Sequence, residues 1–192
     1  MDPGFARVEV SLELTFAAMG NQHSVAHIHD PALLASLSRM PDRVVINVVR
    51  NLRDVLRSLY FFKLRQVPPL DGSESRWRSA PESERFLAFM HHFMGTDIAN
   101  IARVADCILS LSDQSYIRYE DASKAAESAF PRHLSGFYSV AEFLTALDTA
   151  RDSPTATLSP STHRTQVAWP TECERLFESS GLRELNRRLK YE

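Results

Sequence analysis

Apolar positions change their period several times along this chain, and each change marks an element. Val8, Val10, Leu12 and Leu14 alternate with Arg7, Glu9, Ser11 and Glu13. That is the period of a half-buried strand, with a terminal helix as the alternative. Gly20-Asn21-Gln22 reads as a turn. Ser24 to His29 is a short extended candidate leading to Asp30-Pro31. Asp30 as cap and Pro31 in the first turn start a helix through Ser38, which Met40-Pro41-Asp42 breaks. Arg43 to Val49 is then rich in β-branched residues. The run predicts a strand buried on both faces, as in a parallel sheet covered by helices.

Helical spacing follows at Leu52, Val55, Leu56, Leu59 and Phe62, predicting a helix over about Leu52 to Leu64 that packs on the sheet. Asn51 can cap it, and Asp54 lies in its first turn. Pro68-Pro69 and the polar stretch to Pro81 read as a loop, long enough for a lid, a binding role or plain mobility. Glu82 to about Leu111 is helical, with Gly95 as a dividing point and Phe86, Phe89 and Phe93 as a core stripe. Ser115 to Tyr119 is a short strand candidate, and Glu120-Asp121 open another helix. Phe137 to Ala150 is helical, Asp152 to Thr165 is an irregular loop, and Thr171 to Leu189 is one helix or two, broken at Gly181. The order predicts one α/β domain over residues 1–192, a small parallel sheet flanked by helices.

Composition changes this picture little. The chain has 192 residues, 44% hydrophobic and 24% charged, enough for one domain with a sizeable core. A net charge of -2 does not support a general nucleic-acid binder. No apolar run approaches the roughly 20 residues of a membrane span. No basic start precedes an apolar block, so the expected location is cytoplasmic. Cys107 and Cys173 show neither metal spacing nor a disulfide pattern, and Cys107 reads as a core thiol. Positive charge clusters at Arg50, Arg53, Arg57, Lys63 and Arg65, which suits a small anion. Taken alone, Arg53 and Arg57 read as a solvated helix face.

Arg50 matters most, because it closes a strand and a helix starts at once. Ligands of open α/β sheets bind beyond the carboxyl ends of strands. Unpaired N–H groups and the dipole of a helix start favour an anion, and an arginine adds charge-assisted contacts to a phosphate. Asn51, Asp54 and Ser58 share one stripe, with Ser58 about 10 Å along the axis from Asn51. An anion touching both Arg50 and Ser58 must therefore lie beside the first two turns. The alternative is an Arg50 paired with a carboxylate and a Ser58 that faces solvent.

These residues carry a resemblance. Arg50-Asn51-Leu52-Arg53-Asp54-Val55-Leu56-Arg57-Ser58, followed by Tyr60-Phe61-Phe62, resembles the second signature of sulfotransferases that use 3′-phosphoadenosine 5′-phosphosulfate. Leu52 stands where the family commonly has Pro. Tyr116-Ile117-Arg118-Tyr119-Glu120-Asp121 resembles the family's strand ending in Tyr-Glu-Asp, and Ser24 to Pro31 resembles its segment with the catalytic His. His163-Arg164-Thr165-Gln166-Val167-Ala168-Trp169 resembles its late loop, without the usual Gly. The resemblance covers about residue 24 to the C-terminus. It implies that Arg50, Ser58 and Arg164 hold the 3′-phosphate, that Tyr119 lies near the adenine, and that His27 is catalytic. His29 is the alternative to His27, since the two face opposite sides of an extended segment.

The family's first signature, a lysine- and glycine-containing loop that cradles the 5′-phosphosulfate, has no counterpart. Only Gly4 and Gly20 precede His27, and no lysine precedes Lys63. The resemblance thus implies an incomplete P-loop-hydrolase-like sulfotransferase fold, lacking its N-terminal strand and phosphosulfate loop, either as the C-terminal portion of a longer protein or as a degenerate relative. The expected reaction moves a sulfuryl group to a hydroxyl or amine of a small-molecule or carbohydrate acceptor. A non-catalytic nucleotide-binding or interaction remnant of the same fold is the first alternative. An unrelated α/β domain with a structural Arg50 is the second. An unpaired strand edge near Val44–Val49 predicts aggregation or a homodimer. His27, His29 and Asp30 lack a partner cluster for a metal, and adjacent His91 and His92 diverge by about 100° on a helix.

Overall fold

The computed structural model describes residues 30–41, 45–70, 72–111, 116–123, 130, 135–136, 138–151 and 167–192. The strand over 8–14, the turn at 20–22, the extended segment 24–29 and the loop 152–165 lie outside the described residues. What is described is mostly helical around a two-stranded parallel sheet, an α/β arrangement in the broad sense. No helix among the described residues is long and apolar enough to cross a membrane.

The first helix, α1 (Pro31–Ser38), starts as its sequence dictates. The Asp30 carboxylate accepts from the Ala32 N–H at 2.8 Å, and Pro31 sits in the first turn where no N–H is needed. Leu34 and Leu37 are its buried face.

Strand β1 is Asn47–Val49 and β2 is Tyr116–Arg118. They pair in parallel, with Asn47 opposite Tyr116, Val48 opposite Ile117 and Val49 opposite Arg118. The strand expected over 43–49, buried on both faces, is corrected here. Asn47 and Val49 are buried, whereas Val48 is 60% exposed and Ile46 lies at the surface. A β-branched run is compatible with one covered face or two, and this strand has the alternation of one.

Helix α2 (Leu52–Arg65) carries Asn51 as cap, Asp54 in the first turn, and Lys63 and Arg65 in the last. Both ends therefore complement the macrodipole. Its buried face is Leu52, Leu56 and Tyr60, with Val55 and Leu59 alongside. Phe62, expected on that face, is half exposed. Two residues past Tyr60 means a rotation of about 200°, which turns Phe62 outward.

The stretch expected as a loop from Pro68 to Pro81 contains a short helix, α3 (Ser75–Arg78). Trp77 from it is buried against Tyr60, Phe89 and Phe93. The Arg78 guanidinium pairs with Glu74 at 2.8 Å and donates to the Lys63 carbonyl at 2.6 Å. That ties the stretch to the open C-terminus of α2, so its later half is anchored rather than a lid.

Helix α4 (Glu82–Phe93) supplies the expected aromatic core through Phe86, Phe89 and Phe93. It passes through one π turn, Met94–Ile98, into α5 (Ala99–Ser110). Gly95 thus loosens the helix without ending it. Helices α2 to α5 form the crossover that parallel strands require. After β2 come α6 (Tyr119–Ser123) and α7 (Val140–Arg151). The chain closes with α8 (Thr171–Ser179) and α9 (Leu182–Arg188). Gly181 separates these two in the left-handed conformation, φ 77°. Cys173 on α8 is fully buried, and burial pushes its thiol up to about 11. Cys107 is only partly buried, its sulfur 3.4 Å from the Pro31 carbonyl.

Candidate functional site

Both strands end on the residues that sequence reasoning singled out. Val49 lies opposite Arg118, so Arg50 and Tyr119 leave the sheet side by side at its carboxyl edge. The Arg50 guanidinium carbon is 5.0 Å from the centre of the Tyr119 ring, a cation–π contact. Arg50 Nε is buried and has no hydrogen-bond partner. Among the described residues no carboxylate pairs with Arg50, so the structural pairing considered for it is absent there. A guanidinium has donors only, and an oriented anion is one group that can satisfy them; Arg57 Nε, two turns along, is buried and unpartnered in the same way.

The helix start behind Arg50 is already satisfied from within. The Leu52 N–H donates to Asn186 Oδ1 at 2.8 Å. The Arg53 N–H donates to Asn51 Oδ1 at 3.0 Å, and the Asp54 N–H to the Asn51 carbonyl at 2.9 Å. The expectation that unpaired N–H groups of this turn take the anion is therefore corrected. An anion here must lie beside the helix, against Arg50. Ser58 is exposed further along α2.

Arg53 and Arg57 do not form a solvated face. Arg53 pairs with Glu174 at 2.6 Å and with Glu192, its guanidinium 4.6 Å from the Phe177 ring centre. The Arg53 hydrogen bond outweighs burial and holds the Glu174 carboxyl below the usual carboxylate range, helped by the Trp169 indole N–H at 2.6 Å. Arg57 pairs with Asp54 at 3.2 Å and lies 5.1 Å from the Trp169 ring centre. Lys63 pairs with Asp97 at 3.5 Å. Three of the five cations of the basic cluster are thus paired within the fold, and among the described residues Arg50 and Arg65 have no carboxylate partner.

Tyr119 opens α6 and is 42% exposed, so the strand expected to run to Tyr119 ends one residue earlier, at Arg118. Next to it, Glu120 accepts from the Asn51 N–H at 3.4 Å and from the Tyr191 hydroxyl. Arg118 pairs with Asp121 at 2.6 Å and donates to the Lys190 carbonyl at 3.0 Å.

The structure therefore brings Arg50 and Tyr119 together. His27, His29 and Arg164 lie outside the described residues. His91 and His92 are exposed on α4, and no cluster of metal-ligating side chains occurs among the described residues. Sequence reasoning missed Asn186, Tyr191 and Glu192. Asn186 had one signal: it stands among Leu182, Leu185 and Leu189 on the buried stripe of α9. A polar residue at such a position implies a specific hydrogen bond. No family model, no curated protein and no solved structure matches the chain.

Proposed function

We propose that the chain is a sulfotransferase-like protein that binds 3′-phosphoadenosine 5′-phosphosulfate and passes its sulfuryl group to a hydroxyl or amine acceptor. The observation that carries this reading is the contact of Arg50 with Tyr119. These residues come from two segments far apart in sequence, each resembling a different part of the same nucleotide site. The donor fits the chemistry here, because the buried and unpartnered Arg50 Nε calls for an anion and the exposed Tyr119 offers an aromatic neighbour for a base.

In this reading Arg50, Ser58 and Arg164 hold the 3′-phosphate and Tyr119 borders the adenine. The bound donor supplies an activated sulfuryl group. His27 takes the acceptor's proton, a role a neutral imidazole suits at pH 7. A carbohydrate or other small molecule is the acceptor.

A second reading is a nucleotide-binding remnant of the same fold without turnover. Competition binding and turnover separate these readings. Adenosine 3′,5′-bisphosphate is expected to displace a fluorescent adenine nucleotide at least tenfold better than adenosine 5′-monophosphate does, since the 3′-phosphate engages Arg50. Equal displacement by the two nucleotides refutes the assignment. Transfer of labelled sulfate from the donor to a panel of hydroxyl and amine acceptors supports the first reading. Binding without transfer supports the second.

A further inference from the structure

Arg50 is flanked by two peptide groups, and both are gripped by one pair of side chains. The carbonyl of Val49 lies 3.1 Å from the Tyr191 hydroxyl. The N–H of Asn51 donates to Glu120 Oε1 at 3.4 Å. Glu120 and Tyr191 are themselves bonded, the single hydroxyl proton being shared between two acceptors, Glu120 Oε2 and the Val49 carbonyl. Glu120 also follows Tyr119 directly in sequence. One carboxylate and one phenol thus connect the backbone around Arg50 with the backbone that carries Tyr119.

The chain bends to deliver Tyr191 there. Helix α9 ends in a Schellman turn, with Tyr191 N–H bonded to the Asn186 carbonyl at 3.1 Å and Lys190 N–H to the Arg187 carbonyl at 2.9 Å. The residue at its left-handed position is Lys190, φ 64°, where glycine is normally found. The Arg118 guanidinium holds the Lys190 carbonyl at 3.0 Å and faces the Tyr191 ring at 5.8 Å. A non-glycine residue kept in that region needs surroundings that over-determine it. Here the turn points the phenol at the strand ends.

We infer that Glu120 and Tyr191 are positioning residues for this site, fixing the peptide groups on either side of Arg50 so that its guanidinium stays against Tyr119 and aimed at the nucleotide's phosphate. The binding half of this inference rests on the nucleotide reading above; the geometric half does not. Neither residue touches the ligand. Both act through Arg50.

Nuclear magnetic resonance of the Arg50 Nε–H tests it, with Tyr119→Leu marking the position without the ring. In Tyr191→Phe the resonance is expected to move toward the Tyr119→Leu position, and the dissociation constant for adenosine 3′,5′-bisphosphate to rise about tenfold. Trp77→Leu, a core change away from the site, is expected to lower stability and leave the resonance in place. Glu120→Ala should reproduce the shift, and Glu120→Gln, which keeps an acceptor for the Asn51 N–H, should restore the original position. An unmoved resonance in folded Tyr191→Phe overturns the inference. If that variant does not fold, identical spectra for Glu120→Ala and Glu120→Gln overturn it. A resonance that moves in a protein that binds no nucleotide upholds the positioning role and refutes the nucleotide reading.

Discussion

Asn186 shows how one buried polar atom governs a helix start. It is fully buried, and its side-chain oxygen takes the Leu52 N–H that would otherwise be an orphan in the core. Asn186→Leu keeps the volume and removes the acceptor. It is expected to destabilise the fold by about 1–3 kcal/mol in denaturant titration. Glu174 gives a second prediction at this scale. Its folded-state pKa is depressed by the Arg53 hydrogen bond. A depressed carboxylate contributes stability that is present above its unfolded pKa, about 4.3, and is lost as pH falls through the folded value. The contribution is on the order of 1 kcal/mol, since both partners keep some solvent contact. The thermal midpoint of the native chain should therefore fall more steeply below about pH 4.3 than that of Glu174→Gln. Parallel curves would remove Glu174 from the acid-sensitive set.

At the scale of elements, local chemistry was legible wherever it was self-contained. Asp30-Pro31, Asn51 with Asp54, and Gly181 all mark boundaries where the chain has them. Gly181 carries a test, because a Cβ there meets no atom within 4 Å while φ is 77°. Gly181→Ala should cost about 1–2 kcal/mol through the backbone alone, read as a lowered unfolding midpoint. A midpoint at or above that of the native chain would contradict the left-handed turn. What was not legible needed a partner. The residues from Val45 to Val49 look alike whether one face is covered or two. Tyr60 rather than Phe62 faces the core, where Trp77, Phe86 and Phe89 lie against it, and Trp77 is an isolated apolar residue in a polar stretch with no period to report it.

Across the whole molecule, the C-terminal helices close the strand ends. Asn186 reaches Leu52, Glu174 and Glu192 reach Arg53, and Tyr191 reaches Glu120. These contacts join residues that no periodicity connects, so apart from the polar Asn186 on a buried stripe the scaffold of the site was not legible in the sequence. Of the proposed site's members, Arg50 was visible because it sits where a strand ends and a helix begins, and Tyr119 only through the resemblance of its segment. In the proposed reading, the satisfied helix start leaves the anion to Arg50 and to whatever lies beside α2. Calorimetric titration of adenosine 3′,5′-bisphosphate into the native chain and into Arg50→Ala tests this most directly. The account predicts saturable one-to-one binding by the native chain, weakened about ten- to a hundredfold in Arg50→Ala as a charge-assisted hydrogen bond is lost. No binding by the folded native chain, or equal binding by the two proteins, would contradict it.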